Sequence, residues 1–159
     1  KADIMAELNL DKLQAAKDAT ANEQSDLVEY MRVVLNGETF LVPVASVLSV
    51  IRPQLLTPVP MAPDHLLGVT NARGQIFCIV DPGKTLRLPQ KLQAETSASR
   101  FLLLRHARVH LGIWVEEVLD LLRVLPTDIE ETKEKTHVQG RLQTKYGSLP
   151  ILRVEALFE

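Results

Sequence analysis

Residues 65–81 read HLLGVTNARGQIFCIVD, two apolar runs joined by a short polar stretch that contains one arginine, Arg73. The runs LLGVT and QIFCIV have the length and residue types of β-strands, and the stretch NARG between them has the composition of a tight turn. Gly74 permits the positive φ that such a reversal often needs. The segment therefore predicts a β-hairpin, with Arg73 either exposed at the turn or held partly inside.

The chain before this hairpin also reads as β-structure. EYMRVVL alternates at period two, Asn36-Gly37 is a strong hairpin signal, and ETFLV is the expected return strand. Apolar residues at helical spacing in 44–51 predict one helical turn. The following stretch contains three prolines that force an extended path, Pro58, Pro60 and Pro63.

The chain after the hairpin predicts a second β-rich half. Pro82 marks a short helical turn, and residues 88–99 form a polar connecting loop. RFLLLR and VHLGIWV predict another hairpin around HAR, and VLDLLRV, RLQTKYG and LPILRV predict further strands. PTDIEETKEKTHVQG has no apolar period and predicts a charged loop, and VEALFE predicts a short terminal helix. Many short strands with little helix favour two small barrels over a parallel sheet.

Composition sets the broad class. The chain has 159 residues, a net charge of -2, 46% hydrophobic and 24% charged residues, which fits one ordinary globular domain without a global basic field for nucleic acid or anionic lipid. The single cysteine, Cys78, excludes an intramolecular disulfide and predicts a buried, inert thiol. With no export signal and no run of about 20 apolar residues, the cytoplasm is the expected compartment. The missing initiator methionine predicts a fragment of a longer protein.

Residues 1–26 differ from the remainder. They are rich in helix formers, but their apolar residues form only a ragged stripe, so we expect a helical or disordered leader that the folded core does not need. The apolar residues concerned are Ile4, Leu8, Leu10 and Leu13.

No catalytic, cofactor or metal motif is present in the sequence. His106 and His110 stand four residues apart beside two arginines, which makes a poor metal site. A β-barrel binding module for nucleic acid or a small ligand remains an alternative function. The chain's low aromatic content, 4%, counts against a stacking platform, since most of these residues lie inside apolar strand runs: Phe40, Phe77, Phe101 and Trp114.

A family resemblance emerges from the same residues. GVTNARGQIFCIVD resembles the GVxNxRGxxxPIxD signature of the CheW-like domain family, and LNGETFLVPVASVLSVIRP and GSLPILRVEALF resemble its upstream and closing segments. The similarity covers about residues 27–158. It implies a mainly β fold of two five-stranded SH3-like barrels around a shared core. The first barrel would span 27–87 and the second 100–158, with 88–99 crossing between them and strand exchange between the halves possible.

The resemblance also implies a function. CheW-like domains are non-catalytic adaptors that couple the cytoplasmic tips of methyl-accepting chemoreceptors to a CheA-type histidine kinase in membrane-associated arrays. They use no cofactor, and they serve swimming chemotaxis or the twitching motility of type IV pilus systems. The kinase is contacted chiefly through a barrel edge, and the receptor through a groove between the barrels. The groove residues implied here are Val47, Ser49, Val50, Gly68, Asn71, Arg73 and Gly74.

The sequence departs from the family pattern at two positions. Ser49 stands where the family often has an acidic partner for the arginine, and Cys78 replaces a proline. An unpaired buried guanidinium is costly, so Arg73 needs backbone carbonyls or Asp81 as acceptors. We expect Arg73 to be partly buried beside the junction of the barrels, where its five donors would fix the shape of the groove.

Overall fold

The computed structural model describes residues 26–133 and 136–159, so nearly all of the predicted leader lies outside the described residues. The described chain folds into eleven strands, one short α-helix and three 3-10 turns. The strands are β1 Val28–Leu35, β2 Glu38–Pro43, β3 Val47–Ile51, β4 Leu66–Ala72, β5 Gln75–Val80, β6 Arg100–Leu104, β7 Leu111–Val115, β8 Glu117–Val124, β9 Ile129–Glu131, β10 Val138–Thr144 and β11 Gly147–Leu152. The helix α1 is Pro82–Leu86, and the 3-10 turns are Val44–Ser46, Pro126–Asp128 and Val154–Phe158.

The strands form two sheets. The six-stranded sheet has the order β8-β1-β2-β11-β10-β9, and the five-stranded sheet has the order β3-β6-β7-β5-β4. Most neighbouring strands are antiparallel, and the two parallel contacts, β2 with β11 and β5 with β7, each join strands that are distant in sequence. The predicted mainly β fold with two packed β-units and few helices is therefore confirmed. Each sheet takes strands from both sides of residues 88–99, which contain no helix or strand.

The hairpin predicted at Asn36-Gly37 is present. Leu35 pairs with Glu38, and the two turn residues have φ values of 50° and 79°, the left-handed region that asparagine and glycine tolerate best. The alternation in β1 buries Met31, Val33 and Leu35 on one face. The helical turn predicted within 44–51 is the 3-10 turn that precedes β3.

The core has three parts. A central cluster joins the two sheets and includes Val33, Phe40, Leu102, Ile113 and Leu152. A second cluster lies within the five-stranded sheet, with Phe77, Phe101 and Trp114 among its members, and a third lies within the six-stranded sheet, with Tyr30, Leu41 and Ile151. Strand β7 is buried along its whole length, because its side chains belong to both the central cluster and the cluster of the five-stranded sheet.

The charged stretch 126–140 is more ordered than the sequence predicted. It contains a 3-10 turn, the short strand β9 and the start of β10, so the prediction of a loop there is wrong. Strand β9 pairs with β10 through Ile129 opposite Leu142 and Glu131 opposite Gly140. The pairing depends on the backbone and on one half-buried side chain, Ile129, and so leaves little trace in an apolar pattern.

Cys78 is only half-buried, which corrects the expectation of a fully buried thiol. It lies in β5 between Val69 of β4 and Leu111 of β7, and it packs against the central cluster. No helix among the described residues combines the length and the apolar character needed to span a bilayer.

Candidate functional site

The β4–β5 hairpin is tighter than the sequence suggested. Asn71 and Ala72 belong to β4, and Ala72 pairs with Gln75, so the turn consists of Arg73 and Gly74 alone. Both turn residues have positive φ, 55° and 76°. This geometry matches the right-handed twist of the flanking strands, and it places residue 73 at the tip of the hairpin.

Arg73 is exposed, and the expectation that it is partly buried is wrong. Within residues 26–133 and 136–159, its guanidinium has no hydrogen-bond or ion-pair partner. The apolar runs beside it suggested a stem lying along core surface. A two-residue turn instead places its Cα beyond the last strand pair, and the core ends at Ala72. The five guanidinium donors therefore face outward, where a partner's acceptors could meet them.

Asp81 is not the acceptor for Arg73 that the sequence suggested. It is 4% exposed, and its Oδ1 accepts from the side-chain amide of Asn36 at 3.1 Å and from the backbone N–H of Gly83 at 2.9 Å. The second bond caps the first turn of α1. The Asn36 amide also donates to the Gln90 carbonyl at 3.2 Å. The aspartate thus connects the β1–β2 turn, helix α1 and the segment after it.

Gly68 is the most constrained member of the candidate site. Its φ is 152°, and a Cβ built there would lie 2.8 Å from the carbonyl oxygen of Thr57. Thr57 and Val69 exchange two backbone hydrogen bonds of 2.9 Å each. At Thr57 the chain therefore lies directly against the outer edge of β4, and only glycine at position 68 allows that approach.

The predicted residues Val47, Ser49 and Val50 lie in β3, at the other end of the five-stranded sheet from β4. Val47 is 8% exposed and belongs to the central core, whereas Ser49 and Val50 are half-buried. Val47 therefore shapes the strand rather than offering contact area. The structure therefore divides the predicted groove residues between the edge strand β3 at one end of the sheet and β4 with its following turn at the other end.

Three exposed apolar side chains, on residues 52–65 and on β5, were missed by the sequence analysis. The exposed fractions of Leu55, Met61 and Ile76 are 89%, 104% and 58%. Leu56, by contrast, is half-buried and packs against the cluster of the five-stranded sheet. The path predicted from the three prolines is not extended throughout, because Met61 lies in a turn and has a φ of 59°.

The histidines and aromatic residues have structural surroundings. His106 accepts from the backbone N–H groups of Arg108 and Val109 through Nδ1, at 3.1 and 3.0 Å, and its ring stacks on Phe158 at 4.4 Å. His110 stacks on Phe77 at 5.0 Å. In the described part of the chain, no group of three or more potential metal ligands is found. Five aromatic residues of the described chain are buried, and none of them offers an exposed stacking face: Tyr30, Phe40, Phe77, Phe101 and Trp114.

Fold and site together define a small two-sheet β-protein with a glycine-dependent sheet edge and an arginine-tipped hairpin. The CheW-like domain family matches residues 29–159. The chain is 26% identical over 160 residues to the chemotaxis protein CheW of Helicobacter pylori (strain ATCC 700392 / 26695), with 94% of each chain covered. It is 34% identical over 89 residues to the protein FrzA of Myxococcus xanthus, covering 55% of this chain and 54% of FrzA.

The crystal structure of the scaffolding protein TtCheW from Thermoanaerobacter tengcongensis has the same fold. Its TM-score is 0.74 at 21% sequence identity, with 84% of this chain and 88% of that chain covered. The chain belongs to the CheW-like domain family.

Proposed function

We propose that this chain links the cytoplasmic tips of methyl-accepting chemoreceptors to a CheA-type histidine kinase, and that the β4–β5 hairpin carries the receptor contact. The observation that supports this most directly is the exposed Arg73 at the tip of the hairpin. A guanidinium with no acceptor inside the described structure can bind a partner's carboxylate in a bidentate manner.

The surroundings of Arg73 suit a protein partner. Asn71 is exposed on the same strand, and Ile76 directly opposite it is also exposed. Residues 52–65 add apolar area along the same strand edge. An arginine among exposed apolar side chains is a common composition for the centre of a protein interface. Gly68 and Val47 contribute by setting the shape of β4 and β3, since neither side-chain position is open to a partner.

The kinase would bind elsewhere, along an open edge of the six-stranded sheet, where β8 and β9 are the terminal strands. A scaffold needs two separate surfaces, because it must hold both partners at once. In the cell, the chain would then lie in cytoplasmic arrays beneath the receptors, in a swimming or a twitching system.

The chain offers a matched control for the test. Arg87, at the end of α1, is exposed like Arg73 and has a similar φ, 59° against 55°. Binding of the full chain to a receptor cytoplasmic fragment and to the kinase regulatory domain should be measured for wild type, Arg73→Asn and Arg87→Asn. We expect Arg73→Asn to weaken receptor binding about 10- to 100-fold, the range of an interface arginine. Its kinase binding should be retained, and Arg87→Asn should bind the receptor like wild type.

Two results would contradict this proposal. Equal receptor affinities for the two arginine variants would remove the hairpin from the contact. If wild type bound neither partner, but bound oligonucleotides in a salt-dependent way, a nucleic-acid module would replace the scaffold. Deletion of the gene in the source organism, followed by swimming and twitching assays, identifies the motility system.

A further inference from the structure

The end of the six-stranded sheet contains an open apolar groove. It has a volume of about 600 Å³ and lies between β8, the residues after β8, and the β10–β11 turn. Its apolar lining consists of Leu27, Leu122, Val124, Leu125, Leu142 and Tyr146. Leu142 is buried, whereas Leu125 and Tyr146 are 45% and 47% exposed. The groove therefore has an apolar floor and an apolar rim that the described chain leaves uncovered.

The path of the chain points to the occupant. Leu27 lines the groove and is the second of the described residues, so the chain that precedes it leaves from the groove wall itself. That preceding segment, 1–25, contains large apolar side chains spaced among charged ones, including Leu10 and Leu13. A segment tethered by a short linker has an effective concentration in the millimolar range at a site it can reach, so even a weak contact is populated.

Charge and reach are both favourable. Arg123 and Lys145 are on the groove lining, against a single acidic residue there, Asp128. Residues 1–25 carry the acidic residues Asp3, Glu7, Asp11, Asp18 and Glu23 against three lysines, so the two surfaces have opposite net charge. Between Leu13 and Leu27 the extended chain could span about 3.3–3.6 Å per residue, far more than a fold-back into an adjacent groove requires.

Residues 1–25 are also partly included in the alignment with a relative. The alignment with the Helicobacter pylori protein covers 94% of this chain, so it reaches well into residues 1–25, whereas the family match begins at residue 29. A segment shared with a full-length relative is part of the protein's own architecture.

We propose that residues 1–25 fold back over this groove in the same molecule and place Leu10 and Leu13 against Leu122, Val124 and Leu142. The acidic residues around the two leucines then face Arg123 and Lys145. This contact gives the leader a specific position on the six-stranded sheet, on elements that do not include the β4–β5 hairpin.

Spin-label NMR on the full chain tests this contact. Cys78→Val removes the native thiol, and Lys12→Cys places a spin label between the two leucines. We expect strong broadening of the methyl signals of Leu122, Val124 and Leu142, with those of Leu55 and Met61 unchanged. Adding Leu10→Ser and Leu13→Ser should restore the signals, whereas the matched pair Ala15→Ser and Ala16→Ser should not. Leu125→Glu adds a negative charge at a partly exposed rim position and so repels the acidic segment, and it should also abolish the broadening in a folded chain.

Three outcomes would overturn the proposal. Unbroadened groove methyls would show that the segment does not dock there, and broadening around Leu55 and Met61 would place it elsewhere. In a mixture, one chain is isotope-enriched without a spin label and the other carries the spin label. Broadening of the groove methyl signals of the enriched chain would show that a second copy is the occupant. If Cys78→Val disturbs folding, the methyl chemical shifts of the wild type can be compared with those of the Leu10→Ser and Leu13→Ser double variant. We expect the methyl signals of the groove residues to differ between the two proteins, and identical signals would contradict the contact.

Discussion

The Cα of Gly68 lies so close to Thr57 that any side chain at residue 68 would meet the Thr57 carbonyl oxygen, at 2.8 Å from the first added carbon. The adjacent pair, Thr57 and Val69, is joined by two backbone hydrogen bonds. The absence of a side chain at residue 68 therefore allows Leu56 and Thr57 to lie against β4. This edge belongs to the surface to which we assign receptor binding.

Replacing Gly68 should be more damaging than replacing another glycine with positive φ. Gly68→Ala combines an unfavourable φ, costing roughly 1–3 kcal/mol, with overpacking against backbone of similar cost. Gly74→Ala has positive φ, but nothing lies within 4 Å of the added carbon, so only the conformational cost applies. Denaturant unfolding of both variants measures the difference. Equal losses of unfolding free energy would show that the close approach to Thr57 carries no energetic weight.

Arg73 should be nearly dispensable for stability. Its side chain is exposed and contacts no acceptor in the described chain, and asparagine adopts its backbone conformation at least as easily. We expect Arg73→Asn to change the free energy of unfolding by no more than about 0.5 kcal/mol. Chemical denaturation of the same samples used for receptor binding checks this. A loss of 2 kcal/mol or more, roughly the cost of an orphaned buried donor, would mean that the guanidinium has an internal acceptor after all.

The contrast between Gly68 and Arg73 shows what a sequence can and cannot reveal. The hairpins at Asn36-Gly37 and around residue 73 follow from local turn chemistry, and both were predicted. Whether the Arg73 side chain is exposed or buried depends on whether the turn has two residues or four, and the sequence NARG is compatible with both turn lengths. The pairing of Thr57 with Val69 depends on a non-local backbone contact, so the role of Gly68 was available only through the family resemblance.

Strand β9 and the sheet order illustrate the same limit. Only one side chain of β9 is half-buried, so its position is fixed by backbone pairing with β10. Strands β1 and β2 lie in one sheet with β8 to β11, which come from the other end of the domain. Their pairing therefore depends on contacts between residues that are distant in sequence. Local periodicity predicts that a strand exists, but it contains no information about which distant strand will be its neighbour.

The ion pair between Arg32 and Asp120 should make stability depend on acidity. The guanidinium donates to both carboxylate oxygens, at 2.9 and 2.8 Å, and lies 3.8 Å from the centre of the Tyr146 ring. These hydrogen bonds hold the pKa of Asp120 below its ordinary value. Asp120 has its lowered pKa in the folded chain and a pKa of about 3.9 in the unfolded chain. At a pH between these two values, the unfolded chain binds more protons than the folded chain. The pair's contribution is therefore full above about pH 5 and is lost as the pH falls through the folded pKa.

The size of this effect is limited, because the Asp120 side chain is 36% exposed. We expect Asp120→Asn to cost about 0.5–1 kcal/mol at pH 7, with the difference from wild type vanishing in strong acid. The neighbouring pair Arg123 and Glu29 is the control, since its side chains are 64% and 41% exposed and its contact is 3.4 Å. Glu29→Gln should have almost no effect at any pH. A pH-independent cost for Asp120→Asn would assign the loss to packing instead of charge.

The contact of Asn36 with Asp81 predicts a large cost for placing a negative charge at residue 36. Asn36 is 1% exposed, and its amide donates to the buried carboxylate at 3.1 Å and to the Gln90 carbonyl at 3.2 Å. Asn36→Asp keeps the shape and the tolerance for positive φ, but it replaces the donor with a second buried negative charge. Breaking a buried charged contact in this way should cost roughly 3–5 kcal/mol at pH 7.

Asn36→Gly separates the two causes of this loss. Glycine accepts the φ of 50° at residue 36 and removes the donor without adding charge. Its cost should be about 1–3 kcal/mol, the cost of losing a buried hydrogen-bond donor, and therefore smaller than that of Asn36→Asp. Urea unfolding of the wild type and both variants at pH 7 gives the three free energies of unfolding. If the two variants lose equal free energy, charge repulsion does not contribute, and the Asp81 carboxylate must be better solvated than its 4% exposure indicates.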